Sequence, residues 1–210
     1  DCLNALGADI QRTEQGYSVD PISVIPESAT LNCCESGSTL RFMLPIVGAL
    51  GVDATFHLEG RLPQRPLSPL WEVMERKGCT LTRPSGHTLR CQGKLRGGDY
   101  VIDGGVSSQF ITGLLFALRL IGEETSLTVT GKLESAPYVT MTRNALALFG
   151  KPHTPSPGTV GVEGDWSNGA FFLAANMLGS DVTVTNLDEH SPQGDRAAAL
   201  WIPALTDHCT

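Results

Sequence analysis

Apolar segments of two kinds alternate along this chain. One kind is long enough for a helix, and the other is short, β-branched and bounded by Gly or polar residues, as a strand should be. In a first block, Glu35-Ser36-Gly37-Ser38 opens a helix predicted over Thr39 to Leu50, Gly51 ends it, Thr55 to Leu58 reads as a strand and Arg61 to Pro66 as a loop. In a second, Asp103 to Ser108 opens a helix running to Leu120, followed by a strand at Leu127 to Thr130, a loop at Gly131 to Pro137 and a helix at Val139 to Phe149. In a third, Glu163 to Ser167 opens a helix over Gly169 to Leu178, then come a strand at Val182 to Thr185 and a loop from Asn186 to Gly194. A period of roughly 60 to 70 residues fits a repeated βαβα-type unit, so the pattern predicts an α/β fold with internal symmetry.

Punctuation divides the pattern. Lys151 to Gly158 carries Pro152, Pro155 and Pro157, which neither a helix nor a central strand tolerates, and reads as an interdomain linker or surface loop. The expected domains are therefore 1–150, the linker 151–158, and 159–210. Asp20 to Glu27 reads as a further loop. The chain opens without Met inside a helical stretch, Cys2 to Gly7, which leads us to expect sequence before it, and Trp201 to Thr210 has no clear periodicity.

Composition narrows the function classes. With 41% hydrophobic residues in 210, the chain can bury a substantial core. A net charge of −7, with 15 Lys and Arg spread singly, provides no electrostatic footprint for nucleic acid, so an anionic ligand must be met by local groups. The six Cys have no metal-ligand spacing and read as reduced, mostly buried thiols; no metal is expected. No apolar stretch reaches the roughly 18 residues of a membrane span, and a cytoplasmic location is expected.

Local anion sites are visible at the helix starts. Gly104-Gly105-Val106-Ser107-Ser108-Gln109-Phe110 leads straight into an apolar helix, whose unpaired N–H groups and partial positive charge suit a phosphate. Arg41 lies in the first turn of the earlier helix, where a cation opposes the helix dipole and is justified by an anion or a salt bridge. Arg65 precedes Pro66, which restrains it to extended backbone and presents its guanidinium for bidentate contact. Ser135 and Tyr138 flank Pro137, a stiff turn. Returning strands and helices should bring Gly37, Ser38 and Arg41 to the loop of Arg65, and Ser107, Ser108 and Gln109 to the turn of Ser135 and Tyr138. Asp103 and Glu35 are capping or base residues. His57, His87, His153, His190 and His208 are scattered, and no paired carboxylates or Ser-His-Asp order stand out.

These motifs in this order resemble the 5-enolpyruvylshikimate-3-phosphate synthase family. Gly104 to Phe110 resembles its GSVSSQF signature, Gly37 to Arg41 its GTAMR helix start, Gln64-Arg65-Pro66 its ERP loop and Glu134 to Tyr138 its SKPY turn. Gly161 to Ala175 and Gln193-Gly194-Asp195 are similar to its VEGD and QGD segments. The resemblance implies two lobes, each an inside-out α/β barrel of three repeated units, with the second lobe incomplete here. It further implies enolpyruvyl transfer from phosphoenolpyruvate to the 5-hydroxyl of shikimate 3-phosphate, without cofactor, by a monomer with no membrane or nucleic-acid partner. Ser107, Ser108, Gln109, Ser135 and Tyr138 would bind shikimate 3-phosphate; Gly37, Arg65 and Gln109 would bind phosphoenolpyruvate; Ser38 and Arg41 would support them. The family's catalytic acid, base and lysine residues have no counterpart, and Asp207-His208 is followed by Cys209 where the family has arginine. Two alternatives stand beside this: an isolated lobe that binds shikimate 3-phosphate without turnover, and a related transferase with another acceptor.

Overall fold

The computed structural model describes residues 1–150 and 158–204. They group into two compact units, Asp1–Glu134 and Ser135–Thr210. The proline-rich stretch read as a linker lies, from Lys151 to Pro157, outside the described residues. Helix α5 (Ala136–Leu148), taken with the first domain on sequence, falls in the second unit.

The first unit opens with α1 (Cys2–Ala5) and an exposed antiparallel hairpin, β1 (Asp9–Thr13) and β2 (Gly16–Asp20). Two βαβ crossovers follow. Strand β3 (Ser28–Asn32), helix α2 (Gly37–Leu50) and strand β4 (Asp53–His57) make the first, with β3 and β4 parallel. After α3 (Leu70–Arg76), the hairpin β5 (Cys79–Ser85) and β6 (Thr88–Gly93) completes a sheet in the order β3-β4-β6-β5. The second crossover is β7 (Gly98–Asp103), α4 (Ser108–Leu118) and β8 (Thr125–Thr130), again a parallel pair. The predicted repeat is present in both. Among the described residues the strands form three separate sheets, and none closes into a barrel.

Local chemistry accounts for the helix bounds. Ser36 caps α2 by accepting the Thr39 N–H at 3.2 Å, and Gly51 ends it in the left-handed region at φ 77°. Leu40, Leu44 and Val47 are fully buried or nearly so, each contributing roughly 1.5–3 kcal/mol. Helix α2 is covered on two sides, which is why Arg41, Pro45 and Gly48 are buried as well. Gly48 meets Cys79, Leu95 and Met74, while the opposite side meets α4. Phe56 and Ala54 on β4 and Leu89 and Cys91 on β6 alternate inward beneath it. Cys33, Cys79 and Cys91 are buried free thiols, Cys2 is half-buried and Cys34 exposed; burial, reinforced by Cys2, pushes Cys33 up to about 12.

The second unit holds α5, α6 (Trp166–Met177), a 3-10 turn at Gly194–Ala197 and α7 (Ala198–Ala204). The strand expected at Val182 to Thr185 is not formed. Its backbone is held instead by Asn176, whose amide donates to the Val182 carbonyl and accepts the Val182 N–H, both at 2.8 Å. A β-branched run becomes a strand only beside another, and the described residues of this unit contain none.

Pro45 supplies no N–H to the carbonyl of Arg41 one turn earlier. Helix α4 crosses at that point with Gly113: an added Cβ there would lie 2.3 Å from the Arg41 carbonyl oxygen and 2.9 Å from Pro45 Cγ. Gly113→Ala should therefore force the helices apart and lower unfolding free energy by about 1–3 kcal/mol. Urea denaturation measures this, and an unchanged midpoint would refute the close crossing.

Candidate functional site

The α2–α4 crossing places a buried cation between three elements. Arg41 is 6% exposed and projects from the first turns of α2. Its Nη1 donates to Gln109 Oε1 at 2.7 Å, its Nη2 donates to the Pro66 carbonyl at 3.2 Å, and its guanidinium lies 5.0 Å from the centre of the Phe110 ring. Burial, followed by the charge of Arg65, lowers its pKa from the usual arginine value.

Arg65 completes the cationic group. The 3-10 turn Leu62–Gln64 delivers it in extended conformation, at φ −71° and ψ 134°, as the following proline requires. Its guanidinium covers Gly37, where an added Cβ would fall 2.3 Å from Nη1. Glu35, Arg61, Leu62, Gln64, Arg65 and Pro66 line an open cleft of about 500 Å³ beside the α2 N-terminus. Glu35 takes no arginine as ion-pair partner; it lies against Gly60, whose φ of 52° and missing side chain admit it, and accepts the Arg61 N–H at 3.2 Å. Among the described residues neither Arg41 nor Arg65 has a carboxylate partner; Arg65 lines the cleft, while Arg41 is buried against Gln109 and the Pro66 carbonyl. Two unneutralised guanidiniums at a helix N-terminus attract an anion strongly.

The glycine-serine turn adjoins this group through Gln109. Asp103 Oδ1 accepts the Gly105 N–H at 2.6 Å and holds the turn, and Ser107 caps α4 by accepting the Gln109 N–H at 3.3 Å. Ser107, Ser108 and Gln109 are half-buried. Asp103 and Glu35 thus hold loop N–H groups, while the caps of α2 and α4 are Ser36 and Ser107.

Ser135 and Tyr138 belong to the second unit. Ser135 is not in a loop but is the N-cap of α5, in the left-handed region at φ 54°, and its hydroxyl makes no capping bond. The helix begins earlier than expected because Pro137, with its fixed φ and missing N–H, suits a first turn. Tyr138 is 47% exposed and its hydroxyl donates to Asp195 Oδ2 at 3.1 Å. Ser167, beside the α6 cap Asp165, donates to the same oxygen.

The predicted residues Gly37, Ser38, Arg41, Arg65, Ser107, Ser108 and Gln109 all lie in the first unit, and Arg41 joins its two helix starts. Sequence reading missed Phe110, Gly60 and Asp195 as working parts. The signal for Asp195 was its place after Gln193-Gly194, whereas Phe110 and Gly60 carried none until their neighbours were known. His153, His208 and Asp207 lie outside the described residues. No helix among the described residues is long and apolar enough to cross a membrane, and no group of His, Cys, Asp and Glu there could hold a metal.

Comparison with known proteins gives consistent matches. The family model for EPSP synthase (3-phosphoshikimate 1-carboxyvinyltransferase) matches residues 1–204. A 3-phosphoshikimate 1-carboxyvinyltransferase of Clostridium kluyveri is 36% identical over 212 aligned residues, covering 93% of this chain and 50% of that protein. One from Clostridium novyi is 37% identical over 186, covering 81% and 43%. A 2.37 Å structure of EPSP synthase from Acinetobacter baumannii matches with a TM-score of 0.58 at 20% identity, covering 82% of this chain and 42% of that one, a likeness of fold. The chain spans about half the length of the curated relatives it matches.

The cationic cleft has a direct test. At matched ionic strength, inorganic phosphate should raise the melting temperature above that in chloride, with a gain that grows as the logarithm of free phosphate, to about 2.7 kcal/mol at a hundredfold excess over Kd. Arg65→Gln should abolish the difference. Equal melting in both salts would refute the site.

Proposed function

The chain belongs to the EPSP synthase family, and from that premise we propose that it serves the transfer of the enolpyruvyl group from phosphoenolpyruvate to the 5-hydroxyl of shikimate 3-phosphate, with release of inorganic phosphate. The observation that carries this reading is the pair Arg41 and Arg65 at the α2 N-terminus, without a carboxylate partner among the described residues, with Arg41 joined through Gln109 to the α4 N-terminus. Two helix starts, each with cationic or hydroxyl groups, suit two anionic substrates.

Arg65 and Gly37 hold phosphoenolpyruvate. The glycine leaves room for the guanidinium to lie over the helix start, so backbone N–H groups and a bidentate cation converge on one anion. Gln109 borders both substrates; Arg41 fixes its carbonyl end and leaves its amide N–H groups to donate. Ser107, Ser108 and Ser135 bind the phosphate of shikimate 3-phosphate, and Tyr138 packs near its ring. Ser38 and Arg41 support the first anion.

In the reaction, C3 of phosphoenolpyruvate takes a proton and the 5-hydroxyl oxygen adds to C2, losing its own proton and giving a tetrahedral ketal. A proton then leaves C3, the C2–O bond to phosphate breaks, and the enolpyruvyl ether remains. The cations of this chain offset the charge of the carboxylate and phosphates that must meet, and orientation by two fixed helix starts lowers the entropic part of the barrier. In this reading each lobe is an inside-out α/β barrel, the sheets β3-β4-β6-β5 and β7-β8 are two of the walls of one lobe, α2 and α4 are its inner helices, and the working form is a monomer.

Phosphate release from phosphoenolpyruvate should depend on added shikimate 3-phosphate. Release independent of it would refute the assignment, and binding of shikimate 3-phosphate without release would reassign the chain as a non-catalytic lobe. Arg65→Ala should weaken use of phosphoenolpyruvate roughly ten- to hundredfold, the loss of a hydrogen-bonded charge contact, with calorimetric affinity for shikimate 3-phosphate little changed. Equal loss for both would contradict the role given to Arg65.

A further inference from the structure

Tyr138 is a large aromatic left 47% exposed on the first turn of α5. An exposed ring samples several rotamers, and immobilising one on binding costs about 0.5–1.5 kcal/mol. Here the phenol is already tethered, because its O–H donates to Asp195 Oδ2 at 3.1 Å. The tether has a fixed base. Gln193 donates to the Gly164 carbonyl and accepts the Trp166 N–H, both at 2.9 Å, so the segment before Asp195 is fastened to the start of α6. Gly194 fits against Pro137, where an added Cβ would lie 3.4 Å from Cγ. Ser167 donates its hydroxyl to the same carboxylate oxygen from the opposite helix start.

A carboxylate beside an anion site normally weakens it by repulsion. Asp165, the other acid of this cluster, is engaged as the α6 cap by the Ser167 N–H at 2.9 Å and by Asn168. Asp195 caps no helix through its side chain; among the described residues its carboxylate accepts from the hydroxyls of Tyr138 and Ser167. Holding those hydroxyls is the work left to it.

We infer that Asp195 is a positioning residue that holds the Tyr138 ring in place for shikimate 3-phosphate, an inference that rests on the assignment of Tyr138 to that substrate. The residue acts through Tyr138 and does not touch the ligand. An asparagine at the same place offers an equivalent acceptor without the charge, so acceptor and charge are separable.

The test is calorimetric titration of the full chain with shikimate 3-phosphate, using unmodified protein, Asp195→Ala, Asp195→Asn, Tyr138→Phe and the double variant Asp195→Ala/Tyr138→Phe. Asp195→Ala should weaken binding about two- to tenfold, the cost of one immobilised side chain, and Asp195→Asn should restore it. The double variant should lose no more than the larger single loss, because both remove one tether. An ultraviolet titration at alkaline pH reads the tether without substrate. Hydrogen bonding to Asp195 first, then partial burial and the charges of Asp195 and Asp165, hold the Tyr138 pKa above the usual tyrosine value, against an opposing contribution from Ser167. The ionisation that Tyr138→Phe removes should therefore move to lower pH in Asp195→Ala.

Binding that Asp195→Ala leaves unchanged, or losses that add in full in the double variant, would overturn the positioning role alone. Absence of binding by the unmodified chain would overturn the substrate assignment beneath it, and the positioning role with it. An unshifted phenol ionisation in Asp195→Ala would show the tether absent in solution and overturn the inference whatever the affinities.

Discussion

Residue Arg41 carries the architecture with its backbone and the candidate site with its side chain. Pro45 removes the helical N–H that its carbonyl would meet one turn later, and Gly113 of α4 brings a bare backbone up to that same oxygen. A bare backbone at 113 is what lets the helices come this close there, because any side chain would strike the carbonyl. Once they cross, the guanidinium reaches Gln109 and the Pro66 carbonyl, so helix packing and site geometry are one constraint. Burying a guanidinium is costly, and here it is offset by two hydrogen bonds and the Phe110 ring.

The same crossing explains the placement of charge. Arg41 cannot leave its buried position without losing both bonds, and Arg65 is held extended by Pro66 over a glycine that clears space for it. Like charges are thereby kept close with no carboxylate partner among the described residues, an arrangement unfavourable in isolation and favourable once an anion binds. Glu35, the nearest acid by sequence, is diverted onto Gly60 and the Arg61 N–H. The stretch matched by the EPSP synthase family model includes all of these residues.

The second unit is built differently. Its helices bury few residues, namely Val139 and Thr142 on α5 and Trp166 and Gly169 on α6, and much of its order comes from side chains bonding to backbone. Gln193 and Asn176 each clasp a loop by donating and accepting at once. Asp195 extends that network to Tyr138, which links a structural device to a residue of the proposed substrate site.

Sequence alone determined what depends on neighbours within a turn or two. The helix openings within Glu35–Ser38 and Asp103–Ser108, the stop at Gly51, the extended Arg65 before Pro66 and the two βαβ repeats follow from turn chemistry, backbone restrictions and apolar spacing, all short-range effects; that α2 starts two residues before the expected Thr39 does not. The likeness of its motifs to a known family named the residues of the candidate site as well. Tertiary structure decided the pairings. That Val182 to Thr185 is no strand, that Arg41 points to Gln109 across 68 residues, and that Tyr138 bonds Asp195 across 57 depend on which surfaces meet. Each such contact is chosen by packing against distant residues, and local preference is silent on that choice.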